Sequence, residues 1–199
     1  LNVNNDKKSI SDDEGVNNYT SYAIDNVNKN DLRDINYYTY NVTGDAIKNV
    51  SNLLPAIGFV VSGGHTDLIL VKGINEFEFL GGTLDDAAGE AFDKTARLLG
   101  LSSYLGAAEL SQLASTCTKN TLSGFLPRPM INSKNYDFSF SGLKTAAKNL
   151  INKNEYEKNV IACEFENAVC DVLVKKCIDA SIEHNVKSIF LGGGVSTNK

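Results

Sequence analysis

Two apolar runs, Phe59-Val60-Val61 and Leu68-Ile69-Leu70-Val71, flank the polar break Ser62-Gly63-Gly64-His65-Thr66-Asp67. This pattern predicts strand, tight turn, strand. Further on, Ala88, Ala91, Phe92, Thr95, Leu98 and Leu99 recur at helical spacing and define one apolar face. Asp85 and Asp86 stand where that helix wants an acidic cap or first turn, and Gly100 is a natural stop. Gly89 breaks the pattern. Glycine inside a helix costs about 1 kcal/mol against alanine, and is tolerated where the helix packs closely on another backbone or on a ligand. Near the end, Val186 to Leu191 predicts a strand that empties into Gly192-Gly193-Gly194-Val195-Ser196-Thr197-Asn198, as a strand–loop–helix start would.

Between these lie scaffold elements. Glu109 to Cys117 predicts a short helix. Pro127-Arg128-Pro129-Met130 is extended, because alternate prolines bar a helix. Asp137 to Phe140 alternates like a strand. Gly142 to Ile151 predicts a helix with Lys144 and Lys148 on one face. Glu155 to His184 predicts a long amphipathic helix, broken at most once, covering the sheet. The whole pattern is that of an α/β fold.

The first 52 residues are a different material. Twelve of them are Asn, and they show no sustained apolar periodicity. Residues 1–52 are expected to be an Asn-rich, low-complexity, disordered insertion, ahead of a folded unit at 53–199. Three Asn-x-Ser/Thr patterns occur within it, which so Asn-rich a stretch produces by chance.

Composition limits the function classes. The net charge of -5 argues against a broad nucleic-acid-binding surface, so an RNA partner would need a local basic patch or a second subunit. Arg128, Lys144 and Lys148 are candidate phosphate contacts; a solvated basic face would read the same way. No run of about 18 apolar residues suggests a membrane span. Four cysteines form no Cys-x-x-Cys pair. Cys163, Cys170 and Cys177 recur every seven residues and would drift by about 20° per heptad along a helix, as core-filling thiols would. Free thiols suit a reducing compartment.

The candidate chemistry sits on the glycines. Successive N–H groups in the Ser62–Gly64 turn would form an anion-binding nest, and the absent side chains allow close approach of a phosphate or acyl-phosphate. A plain hairpin turn would show the same three residues. Asp93 lies at the edge of the helix's apolar face; it is either a solvated carboxylate paired to Lys94 or Arg97, or an acceptor for ribose hydroxyls. The loop from Gly192 to Asn198 would let an adenosine lie across its backbone, although the dinucleotide spacing G-x-G-x-x-G is absent.

Four stretches together resemble one family: Ser62 to Thr66, Asp85 to Lys94, Asp137 to Thr145, and Gly192 to Asn198. The family is the tRNA threonylcarbamoyladenosine transferases, formerly called O-sialoglycoprotein endopeptidases, in its bacterial and organellar branch. The resemblance implies an actin-like fold, that of sugar kinases and heat-shock chaperones, here partial with incomplete lobes. It implies that Val60, Val61, Ser62, Gly63 and Gly64 hold threonylcarbamoyl-adenylate or an adenine nucleotide, that Asp93 binds its ribose or adenine, and that Asn198 contacts the adenosine. The family's Tyr-Pro-Gly-Gly-Pro run reads Tyr104-Leu105-Gly106-Ala107-Ala108, which places Gly106 and Ala107 at the ligand with one glycine replaced and both prolines gone. His65 is the candidate catalytic residue, as a hydrogen-bond donor to developing charge, or else a cap on the turn.

The resemblance also implies one divalent metal, iron or zinc, held by a His-x-x-x-His pair upstream of Ser62 and an Asp downstream of Asn198. Neither lies in this chain, so it is expected to be an internal fragment, inactive alone, with no metal ligands of its own. The implied activity is transfer of a threonylcarbamoyl group to the exocyclic amine of the adenosine beside a tRNA anticodon. The implied partners are tRNA and the other subunits of the transferase complex, with no membrane. Metallo-endopeptidase, sugar kinase and non-catalytic nucleotide-binding scaffold are the rival readings; no His-Glu-x-x-His is present for the first. An Asn-rich insertion beside a bacterial-type core points to an organelle, mitochondrion or plastid, with the cytoplasm as alternative.

Overall fold

The computed structural model describes residues 21–25, 36–40, 51–101 and 106–197, and side chains from residue 52 onward within those ranges. Among the described residues six strands form one mixed sheet in the order β2-β1-β6-β3-β4-β5. They are β1 Ser21–Asp25, β2 Asn36–Tyr40, β3 Ala56–Val61, β4 Thr66–Gly73, β5 Glu76–Gly82 and β6 Ser188–Gly192. Among the described residues four α-helices accompany them: α1 Ala88–Leu98, α2 Gly106–Ser115, α3 Ser141–Lys153 and α4 Lys158–Glu183. The α/β class expected from the pattern is therefore observed.

The predicted strand–turn–strand is β3 and β4, antiparallel, with Val61 opposite Thr66. β5 continues the meander as the sheet's edge. β6 returns after all four helices and lies parallel to β3, Ile57 facing Ile189. Within the Asn-rich stretch, β1 and β2 pair with each other, and β1 with β6. Its end, residues 51–52, opens a short 3-10 turn, Ser51–Leu53; the rest of that stretch lies outside the described residues, as does the disorder expected of it.

Alternation decides which face of the sheet is covered. Thr66, Leu68 and Leu70 of β4 are buried, and Ile57, Phe59 and Val61 of β3 join them. They meet Ala88, Ala91, Phe92 and Ala96 of α1, and Phe165, Ala168, Val169 and Val172 of α4. Phe92 meets Phe165 edge-on with centroids 5.4 Å apart, a favoured aromatic geometry. The long helix is unbroken over 26 residues, about 39 Å at 1.5 Å per residue. Its cysteines do not share one environment. Cys177 is buried in the core, Cys163 is half-buried and packs against it, and Cys170 is exposed, so core filling applies to the first two and not to Cys170.

One predicted strand is absent. Asp137 to Phe140 makes only a single bridge, Thr83 to Phe138. The segment instead runs along the end of β5, where Gly82 N donates to Asp137 Oδ1 at 3.4 Å. A Cβ on Gly81 would stand 2.5 Å from the Tyr136 carbonyl carbon, so glycine is required for this approach. The buried ammonium of Lys176 pins the same loop, donating to Ser133 Oγ and the Asn135 carbonyl, each at 2.8 Å. Burial holds its pKa below the usual lysine value.

Candidate functional site

The site is built where three glycine-bearing segments meet. The first is the turn after β3. Ser62 N donates to the His65 carbonyl at 2.8 Å and closes it. Ser62 Oγ accepts from Gly64 N at 3.3 Å and from His65 N at 3.0 Å. The expected nest is therefore filled by the serine's own hydroxyl, and an incoming phosphate would compete with it for those two N–H groups. The space above Gly63 and Gly64 is open: a Cβ on either would touch nothing within 4 Å.

The second segment is the first turn of α1. Gly89 N donates to the Ser62 carbonyl at 3.1 Å. A Cβ on Gly89 would lie 2.7 Å from that oxygen and 2.8 Å from Gly63 Cα. The glycine expected to permit close packing thus packs on the turn itself. The third segment follows β6. Gly193 has φ +103°, and a Cβ there would collide with the Val61 carbonyl.

The expected acidic cap of α1 is not what the structure uses. Ala87 is the cap residue and makes no side-chain cap bond; Thr66 Oγ1 accepts from Ala88 N at 2.9 Å instead. Asp85 serves another helix. It accepts from Phe140 N at 2.8 Å, Ser141 N at 3.3 Å and Ser139 Oγ at 2.6 Å, and so caps α3. Burial raises its pKa, but these donors more than offset that and hold it below the usual value. Asp86 accepts from Lys94 Nζ at 2.5 Å and Lys144 Nζ at 2.8 Å, tying α1 to α3. Its pKa is lowered on the same balance, burial against two ammonium groups. Residue spacing signalled an acidic cap at 85–86 but not which helix would receive it.

Asp93 lies one turn along α1 from Gly89. It pairs with neither Lys94 nor Arg97 through its side chain. Its Oδ1 accepts from Ala107 N at 2.8 Å, at the start of α2. Gly106 is buried beside it: a Cβ there would meet Asp93 Oδ1 at 3.2 Å. Asp93, Gly106 and Ala107 are therefore brought together. Val61 has its side chain in the core, so it can face a ligand only by backbone, whereas Val60 is exposed at the strand end. His65 is exposed, with Nδ1 3.1 Å from Asp67 Oδ2. Asn198 lies outside the described residues.

The basic candidates divide. Arg128 Nη1 donates to the fully buried Glu164 at 2.5 Å, and Nε to Asp171 at 2.9 Å. Glu164 also accepts from Asn120, Gly124 N and Leu126 N. Arg128 is thus a structural clamp on the 120–128 loop rather than a free phosphate contact. Lys144 is shared with Asp86, and Lys148 is exposed on the same helix. Among the described residues no three His, Cys, Asp or Glu side chains gather as a metal-holding group. His65 stands at the turn, and His184 ends α4 beside Tyr136, so they share no site. The described residues do not fit a resident metal. No helix among them is long and apolar enough to cross a membrane.

Residues 32–199 match the family profile described as TsaD, tRNA N6-adenosine threonylcarbamoyltransferase. A protein of that name from Buchnera aphidicola is 47% identical over 167 residues, covering 82% of this chain and 48% of the relative. One from Persephonella marina is 50% identical over 147 residues, 72% of this chain and 42% of the relative. One from Nitrosomonas eutropha is 52% identical over 147 residues, 72% and 43%. The chain spans about half the length of the curated relatives it matches.

Proposed function

The chain belongs to the tRNA N6-adenosine threonylcarbamoyltransferase family, and on that premise we propose that it supplies the nucleotide-binding half of such an acyltransferase. The intact protein would adopt the two-lobed actin-like fold and pass a threonylcarbamoyl group from threonylcarbamoyl-adenylate to the exocyclic amine of the adenosine beside a tRNA anticodon. The observation that carries this reading is the convergence of the Ser62–Gly64 turn, Gly89 and Gly193, with open space above Gly63 and Gly64.

In this reading the adenylate phosphate lies over the turn and takes the Gly64 and His65 N–H groups from Ser62 Oγ. Asp93, held by Ala107 N, offers its remaining oxygen to the ribose or adenine, and Asn198 reaches the adenosine. The tRNA amine attacks the carbamoyl carbon. The carbon–oxygen bond to the phosphate breaks, AMP leaves with the electron pair, and the amine loses a proton. Positioning and stabilisation of charge on the departing phosphate carry the catalysis, with His65 at the rim as a donor.

The bacterial relatives and the Asn-rich stretch support an organellar site of action, which a fluorescent fusion of the intact protein tests: signal confined to the cytosol would exclude it. The transferase reading is tested with intact protein, its complex subunits, threonine, bicarbonate, ATP and unmodified tRNA. Mass spectrometry should find the threonylcarbamoylated nucleoside. Peptide cleavage with no modified nucleoside would establish the endopeptidase reading in its place.

A further inference from the structure

We propose that the groove between α1 and α3 is a docking site for the RNA phosphate backbone. This rests on the transferase reading and adds where its RNA substrate is gripped. A cavity of about 440 Å³ opens there, lined by Lys94, Arg97, Lys144 and Lys148, with Leu98 and Thr145. Four of its six lining residues are cations and none is an acid, on a chain whose net charge is -5.

The cluster is held in place. Asp86 accepts from Lys94 at 2.5 Å and from Lys144 at 2.8 Å, so one carboxylate draws both ammonium groups to the same end of the groove. Glu90 adds a second bond to Lys94 at 2.8 Å. Two of the four lining cations are paired to these two carboxylates, and Arg97 and Lys148 add positive charge beyond them. An ammonium has three donors, and Lys144 uses one of them on Asp86. Lys148 is in no ion pair among the described residues. Arg97 is exposed and spends Nε on the Asp93 carbonyl at 3.3 Å; its guanidinium carries four further N–H donors.

The position suits an RNA whose reacting base lies at the Ser62–Gly64 turn. Lys94 is five residues beyond Gly89 on one rigid helix, about 7.5 Å at 1.5 Å per residue. Lysine and arginine around an open, shallow groove give contacts to phosphate without reading sequence. A backbone contact there fixes register and leaves base choice to the site itself.

The test is titration of intact protein, with its complex subunits, against fluorescently labelled unmodified tRNA at several salt concentrations. Arg97→Gln and Lys148→Gln should each weaken binding and lower the slope of log K against log salt by about 0.7–0.9 per lost phosphate contact. KM for tRNA should rise several-fold, with kcat and adenylate affinity unchanged. If the unaltered protein modifies tRNA and both variants bind it with unchanged affinity and slope, the groove is not an RNA site, while the transferase reading stands. If the variants lose a protein subunit yet bind tRNA normally, the groove is a protein contact and the proposal fails. If the unaltered protein neither binds nor modifies tRNA, the transferase reading itself falls and takes the groove with it.

Discussion

Gly89 donates its N–H to the carbonyl of Ser62 at 3.1 Å, and no side chain fits between them. This single contact fixes the start of α1 on the turn that would hold a phosphate. It turns a residue unfavourable to helices into a positional requirement.

Gly89→Ala sets two effects against each other. In an open helix alanine would gain about 1 kcal/mol. Here its Cβ would meet backbone atoms at 2.7–2.8 Å, which cannot move as a side chain end can. Overpacking of this kind costs about 1–3 kcal/mol, so the variant should melt several degrees lower. A thermal midpoint at or above that of the parent protein would show that the turn yields.

Asp93 has a structural task at Ala107 N and, on the proposed reading, a chemical one, and two variants separate them. Asp93→Asn keeps an oxygen to accept from Ala107 N but loses the charge. Its stability should change little, while adenylate affinity falls roughly ten- to a hundred-fold, the worth of a charge-assisted bond of about 1.5–3 kcal/mol. Asp93→Ala should lose about 1 kcal/mol of stability as well. Calorimetry and chemical denaturation on the same samples decide; parent-like affinity in Asp93→Asn would confine Asp93 to holding α2.

Arg128→Met should cost about 3–5 kcal/mol in urea unfolding, because it strands Glu164, a fully buried carboxylate, without its cation. The same variant should leave the salt slope of tRNA binding unchanged. A loss below about 1 kcal/mol would mean that the three other donors to Glu164 suffice.

Asp86 ties stability to acid pH. Its folded carboxyl titrates below the unfolded one because Lys144 and Lys94 overcome the cost of burial. Its contribution is therefore fully present above the unfolded carboxylate range, around pH 4, and is lost as pH falls through the lower folded value. Asp86→Asn should be less stable at neutral pH and should flatten the acid limb of the stability curve. An acid limb identical to the parent's would place that sensitivity elsewhere.

Much of this was legible in the chain. Periodicity gave β3, β4, β6 and the shorter helices, because each buries one face and its apolar spacing records which; the long helix α4 is present but not cleanly amphipathic, since Glu164 and Lys176 lie on its buried side and Val174 and Ile182 are exposed. Gly89 and Gly100 announced a close approach and a helix end; Gly100 does have φ +78°. The Ser62–Gly64 turn was visible as two glycines between apolar runs. What pattern could not carry was pairing across distance. Asp85 caps a helix through Phe140 N, 55 positions away, rather than the helix beside it. Arg128 finds its acid 36 positions away at Glu164, which turns a candidate RNA contact into a buried clamp. Asp137 to Phe140 alternates like a strand, yet the glycine-lined end of β5 admits only one bridge. Local sequence sets what each segment can bury. Which charge meets which is set by how the helices cross the sheet, because a buried carboxylate takes whichever donors the packing brings within about 3 Å.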